Sequence, residues 1–342
     1  MIFHQLFDPA SSTYTYIIAD GTTQDAVIID PVLEQRERDL AVLRAGNLKL
    51  NWIIDTHVHA DHVTGANALK AATGALTAVG EACGAVGYDR DLHHGDTIEF
   101  GHQRLDALAT PGHTPGSMSL VWRDRVFTGD TLLIGGCGRA DFQNGDAHAL
   151  YTSITQQLFA LPDATLVYPA HDYQGRTASS IGAERAANPR LAGNTEDQFV
   201  ALMAALNLPR PKRIDEAVPL NRIGGLVDEH DTPWASVPVH AVPPALRSDR
   251  ALLIDLRDAA DVAAGKAPGA VRVAHDDYPH MATLAAGCAN LYLICGTGKR
   301  SMLAARELAA CGVHNAVNVA GGMQAWRGAG LPITQPVTEK TV

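Results

Sequence analysis

Residues 51–55, Asn-Trp-Ile-Ile-Asp, form a short apolar run that leads straight into Thr56-His57-Val58-His59-Ala60-Asp61-His62. Three histidines and an aspartate packed this closely are dense in metal-ligand chemistry. Buried without partners, imidazoles and carboxylates at such density would be costly. The pattern therefore asks for a fold in which a strand ends at a cavity, where the following loop can turn several of these side chains inward. Further candidates stand in separate loops: His113 in Thr110-Pro111-Gly112-His113-Thr114-Pro115-Gly116, Asp130 in Thr128-Gly129-Asp130, and His171 in Tyr168-Pro169-Ala170-His171-Asp172-Tyr173. Imidazole and carboxylate donors without thiolate suit zinc, iron or manganese. His4, His93, His94, His102, His148 and the histidines beyond residue 230 read instead as surface or loop residues.

The surrounding pattern is α/β. Residues 3–7, 14–18 and 26–30 read as short strands, with Asp20-Gly21 a turn signal. Residues 36–45 read as a helix ending before Gly46, and 63–73 as a second helix. Strands return at 117–123 and 125–128. The first domain is expected over 1–225. Residues 226–244 hold Asp231, Pro233, Pro238 and Pro243-Pro244, which is linker composition. A second alternation occupies 245–335: strands 251–256, 291–294 and 316–319, and a helix over 301–311. Short strands followed by helices suggest a small parallel sheet covered on both faces. Residues 336–342 form a tail.

In that second region the apolar run 291–294 ends at Cys295-Gly296-Thr297-Gly298-Lys299-Arg300-Ser301, just before a helical pattern. A cysteine there lies beneath the free N–H groups of a helix start. Those groups, with Lys299 and Arg300, suit a negatively charged sulfur and form an anion cradle. The two glycines let the loop curl. Cys83, Cys288 and Cys311 read as buried, inert thiols, while Cys137 lies in a glycine-rich loop that could approach the histidine cluster.

Composition removes several classes. With 342 residues and 46% hydrophobic content, two cores can be built and disorder is excluded. The net charge of −10 argues against a nucleic-acid surface. No apolar run reaches the ~18 residues a membrane helix needs. Residues 1–8 lack the pattern of a signal peptide. Five cysteines without a C-x-x-C pair read as free thiols in a reducing cytoplasm.

The segment 56–62 with His113, Asp130 and His171 resembles the metal-binding pattern of the metallo-β-lactamase superfamily over roughly residues 1–225. The resemblance implies an αββα sandwich with the metal at the strand ends. Within the superfamily, Gly136-Cys137-Gly138-Arg139-Ala140-Asp141-Phe142-Gln143, the stretch 168–173, Asn188-Pro189-Arg190-Leu191 and Ala217-Val218-Pro219 are similar to the persulfide dioxygenase branch. That branch implies one Fe(II) per chain on His57, His113 and Asp130, a facial triad of two histidines and a carboxylate. His59, Asp61, His62 and His171 would then surround the ligands and tune the metal. The implied substrates are glutathione persulfide and O2, with Arg139, Tyr173 and Arg190 on the substrate side. The resemblance also suggests a homodimer.

The Cys295 loop resembles the active loop of rhodanese sulfurtransferases. It is supported by residues 253–258, Ala267-Pro268-Gly269-Ala270 and residues 319–326. Cys295 would carry the transferred sulfur as a persulfide, within the loop Gly296, Thr297, Gly298, Lys299 and Arg300. Asp255 and Arg257 are expected to support the loop. Related phosphatases use C-x5-R; Arg300 gives C-x4-R, a smaller cradle that suits a sulfur donor better than a phosphate ester. Together the halves imply that thiosulfate supplies sulfur to glutathione and that the resulting persulfide is oxidised to sulfite. Two rivals remain from the sequence: a zinc thioester hydrolase of glyoxalase II type fused to a rhodanese, and a non-catalytic sulfur-carrier or sensor module.

Overall fold

Every residue of the strand Thr13–Ala19 is buried, and its alternate side chains serve two different cores. Tyr14, Tyr16 and Ile18 pack into one cluster, Ile17 and Ala19 into another. This is the period-two signature of a sheet covered on both faces. The computed structural model describes residues 2–225, 235–246 and 251–334. The chain divides into two compact units, Met1–Val227 and Asp228–Val342.

In the first unit two six-stranded sheets face each other. One runs Ile2–Asp8, Thr13–Ala19, Asp25–Ile29, Lys49–Asp55, Leu76–Gly80, Arg90–Leu92. The other runs Ser179–Ser180, Leu166–Pro169, Arg125–Gly129, Met118–Trp122, Gln103–Ala109, Thr97–Phe100. Tyr16, Ile54, Trp122 and Phe127 meet in the core between them. Each such side chain contributes about 1.5–3 kcal/mol on burial. Helices Arg36–Ala45 and Ala66–Thr73 cover the first sheet through Leu43 and Leu69. Helices Ala147–Thr152 and Glu196–Ala205 cover the second through Leu150 and Phe199. Asp146 caps the former by accepting two backbone N–H bonds, and Thr195 with Gln198 forms a capping box on the latter. The result is the expected αββα sandwich.

Strands Arg125–Gly129 and Leu166–Pro169 are parallel neighbours, so their ends deliver Asp130 and His171 to the same edge. One helix starts later than its apolar pattern suggests. Val63 and Gly65 are bonded to the 31–33 loop, with Leu33 N–H donating to Val63 O and Gly65 N–H to Pro31 O. Their backbone is thereby committed, and the helix begins at Ala66.

The second unit holds a five-stranded sheet in the order Ala235–Pro238, Ala316–Ala320, Asn290–Ile294, Ala251–Asp255, Val271–Arg272. All its pairings are parallel. Met281, Ala304 and Leu308 pack on one face; Val319, Met323 and Trp326 pack on the other. The span read as a linker needs correcting. Residues 235–238 supply the edge strand of this sheet, followed by a short helix at Val242–Ala245. Residues 226–234 and the tail lie outside the described residues.

Trp326 is buried, and its Nε1–H donates to Pro332 O at 2.9 Å. Trp326→Ala is expected to destabilise this unit by about 3–5 kcal/mol. Urea unfolding of the full chain should show the loss; an unchanged midpoint would mean that this indole does not hold the core.

Candidate functional site

Asp30 organises the metal-ligand cluster from below. It follows the strand Asp25–Ile29 and accepts the Thr56 N–H at 2.7 Å and the Thr56 hydroxyl at 2.9 Å. Because the Thr56 proton goes to Asp30, its oxygen accepts from His57 Nδ1 at 3.0 Å. His57 Nε2 is left with its lone pair. Burial, with His59 and His113 nearby, holds His57 well below the ordinary histidine value, so it is neutral as a ligand must be. His113 is oriented by another route. Its Nδ1–H donates to Arg139 O at 2.7 Å, and its Nε2 lies 3.6 Å from Asp130 Oδ2.

His57, His113 and Asp130 thus offer donor atoms within 4.8 Å of one another. Burial raises the Asp130 carboxyl, but His171, together with His113 and His57, outweighs it and holds the group well below the usual carboxylate range. Two imidazoles and one carboxylate are the donor set of a facial metal triad.

His59, Asp61, His62 and His171 are engaged largely with carboxylates and with one another. His59 Nε2 meets Asp30 Oδ1 at 3.1 Å, and His62 Nδ1 meets Asp61 Oδ2 at 2.9 Å. His171 spans Asp130 at 2.6 Å and Asp61 at 3.0 Å, using both ring nitrogens. Burial lowers the His171 value, but these two carboxylates raise it well above the ordinary one. Asp61→Asn is expected to keep most of the bound metal while activity falls roughly 10–100-fold, the usual cost of disturbing a ligand's neighbours. Elemental analysis beside a rate assay checks this; loss of the metal in step with the rate would make Asp61 a ligand.

A cavity of about 590 Å³ opens onto His57, His113 and Asp130. Arg139, Tyr173 and Arg190 all border it. Tyr173 is exposed and lies parallel to the His171 ring, with centroids 6.1 Å apart. The arginines also hold the protein itself. Arg139 pairs with both oxygens of Asp141 and donates to the carbonyls of Pro209 and Leu208. Arg190 donates to Cys137 O at 2.6 Å. Arg176, Arg210, Lys212 and Arg213 also line the cavity and were missed in the sequence. The signal was there: Pro209-Arg210-Pro211-Lys212-Arg213 is a basic run in a chain of net charge −10.

In the second unit Cys295 is buried between the strand Asn290–Ile294 and the helix Lys299–Ala310. Gly298 has φ +88° and donates its N–H to Cys295 Sγ at 3.2 Å. Only this glycine needs its conformational freedom, since a side chain at Gly296 would meet open space. The start of helix Gly322–Gly328 clamps the loop, with Met323 N–H on Cys295 O at 2.7 Å and Gln324 N–H on Gly296 O at 2.9 Å. Thr297 stands exposed at the loop's crest, with Lys299 and Arg300 half-buried after it. Arg257 pairs with Asp255 at 2.7 Å and donates to the carbonyls of Asp261 and Gly265, a supporting role. Burial pushes the Cys83 thiol up to about 12 and also raises Cys137 and Cys288. Cys311, expected to be buried, is exposed at the end of its helix.

Residues 8–171 match the metallo-beta-lactamase superfamily and residues 244–329 the rhodanese-like domain. The mitochondrial persulfide dioxygenase ETHE1 of Bos taurus is 44% identical over 228 residues, covering 66% of this chain and 89% of that protein. The chain belongs to the persulfide dioxygenase family. It is an enzyme that joins the catalytic domain of this family to a rhodanese domain. The crystal structure of ETHE1 from Myxococcus xanthus matches at a TM-score of 0.65 and 54% identity, over 66% of this chain and all of that one. A metallo-beta-lactamase structure from Staphylococcus aureus shares the fold at 21% identity and a TM-score of 0.62, over 93% of this chain and 99% of that one.

Proposed function

We propose that residues 1–225 oxidise glutathione persulfide with O2 and water to sulfite and glutathione. The rhodanese domain moves the outer sulfur of thiosulfate to glutathione and so makes that persulfide. One observation carries the reading: a two-histidine, one-carboxylate site under a cavity, in the same chain as a cysteine held in a helix-start cradle.

His57, His113 and Asp130 would hold one Fe(II) per chain. When bound, iron supplies the electrons that let triplet O2 react with a closed-shell persulfide, which zinc cannot do. The rest falls to the chain's own residues. Thr56 and the Arg139 carbonyl fix the histidine tautomers. Arg139, Arg190 and the basic run 210–213 give the cavity wall positive charge suited to glutathione's carboxylates. Leu133 and Ile134 give the cavity an apolar wall that limits water near the reacting sulfur. Five free thiols suit a reducing cytoplasm.

A second reading has its own support. His59, Asp61 and His62 also lie within 4.8 Å of one another, and among the described residues His59 Nδ1 and His62 Nε2 have no hydrogen-bond partner. Those atoms could serve a binuclear zinc hydrolase. Elemental analysis of the purified chain, with O2 consumption on glutathione persulfide, decides between them. About one iron and brisk O2 uptake support the dioxygenase; two zinc ions, no O2 uptake and thioester cleavage support the hydrolase.

A further inference from the structure

A polar file runs from the Cys295 sulfur through the interior of the second unit to its edge strand. Ser301 Oγ lies 3.4 Å from Cys295 Sγ and 2.8 Å from Asn318 Oδ1. Asn318 Nδ2 in turn donates to Ser236 Oγ at 3.0 Å. Ser301 and Asn318 are buried, and Asn318 pairs with Ser236 across neighbouring parallel strands. The core on that face of the sheet is apolar: Leu293, Ala304 and Ala305 among others. Apolar side chains could occupy the positions of Ser301 and Asn318 without the cost of desolvating two polar groups; Ser236 is exposed at the file's outer end.

The Ser301 hydroxyl has one proton and two acceptors within reach. In the arrangement described it donates to Asn318. An asparagine amide turned end for end occupies nearly the same space. Its N–H would then donate to Ser301 Oγ, its oxygen would accept from the Ser236 hydroxyl, and the Ser301 proton would be free for the sulfur. Both polarities satisfy every group in the file. The charge on Sγ selects between them, because a thiolate accepts a hydrogen bond strongly and the inner sulfur of a persulfide weakly.

We propose that Ser301 is a catalytic residue for sulfur delivery, with Asn318 and Ser236 as a relay that turns its hydroxyl toward Sγ as thiolate charge appears there. The proposal rests on Cys295 being the sulfur carrier. In delivery an acceptor thiolate attacks the outer sulfur of the Cys295 persulfide, Cys–S–SH. A new S–S bond forms to the acceptor, the bond to Sγ breaks, and its electron pair leaves on Sγ as thiolate. The proton stays on the transferred sulfur, so the acceptor becomes the persulfide and no net redox change occurs. The Gly298 N–H and the Ser301 hydroxyl meet the charge that develops on Sγ. A leaving thiolate stabilised in this way departs faster. Loading differs: the Cys295 thiolate attacks the outer sulfur of thiosulfate and sulfite departs. There a hydrogen bond to Sγ lowers nucleophilicity and gives no advantage.

The test separates the two half-reactions on the full chain. Cys295 is loaded with thiosulfate, the excess is removed, glutathione is added, and the sulfur remaining on the protein is followed by intact mass. Ser301→Ala is expected to load at close to the wild-type rate and to discharge roughly tenfold more slowly, the order of one hydrogen bond to a charged group. Under turnover, its Cys295 should therefore stand mostly as persulfide. Ser301→Thr, which keeps the hydroxyl, should restore discharge. Asn318→Asp offers only acceptors toward Ser301, holds its proton away from Sγ and should slow discharge in the same sense; it carries the test if Ser301→Ala does not fold. Wild-type discharge in Ser301→Ala, or equal slowing of both half-reactions, overturns the relay. If the wild-type chain takes up no sulfur on Cys295, the reading of the loop itself fails, and the relay fails with it.

Discussion

His113→Ala is expected to remove bound iron and O2 uptake together. His113 supplies one of three converging donors, and its Nε2 is the nitrogen turned toward Asp130 because Nδ1 is engaged by Arg139 O. Alanine removes the donor and leaves two. Altering a residue that merely neighbours a ligand typically costs roughly 10–100-fold, so loss of a ligand should go well beyond that range. Asp130→Ala should act the same way for a different reason. It removes the only carboxylate of the trio and also one of the two carboxylates that His171 spans. Elemental analysis and an oxygen electrode read both effects, and circular dichroism shows whether the fold survives. An His113→Ala protein that kept one iron per chain would exclude His113 as a ligand.

Much of this site is legible in the sequence because metal chemistry demands rare residue types at high density. His57 through His62 stand out for that reason, and the loops carrying His113, Asp130 and His171 are each marked by glycine or proline. What the sequence leaves hidden is pairing. That His171 lies between Asp130 and Asp61 depends on two parallel strands ending at one edge, which no local pattern encodes. Arg139 reads as a substrate contact, yet four of its hydrogen bonds go to the protein, two of them to carbonyls some 70 residues away. The strand at 235–238 is masked by Pro233 and Pro238. It occupies the edge of its sheet, the position where proline is tolerated. Ser301 and Asn318 lie 17 residues apart and meet only through the fold.

Cys295→Ser is expected to abolish sulfur transfer from thiosulfate to glutathione while sparing O2 uptake on ready-made glutathione persulfide. The side chain is buried at the helix start with Gly298 N–H on its sulfur. Serine nearly keeps the shape, so the loop and the clamp from Met323 and Gln324 should persist. A hydroxyl is a far weaker nucleophile at neutral pH and cannot hold a stable persulfide. The proposed metal ligands His57, His113 and Asp130 all lie in the other compact unit, and Thr56, the Arg139 carbonyl and His171, which hold them, lie there too. Uptake driven by thiosulfate plus glutathione should therefore vanish, because the persulfide is no longer made. Persistent uptake under those conditions would show that Cys295 is not the carrier. If the folded, iron-loaded variant also lost activity on ready-made persulfide, the two sites would be catalytically coupled rather than joined through a diffusible intermediate. Adding wild-type protein depleted of iron gives the complementary arm. It can still load and deliver sulfur, so mixing it with Cys295→Ser should restore thiosulfate-driven O2 uptake if the persulfide travels freely between molecules.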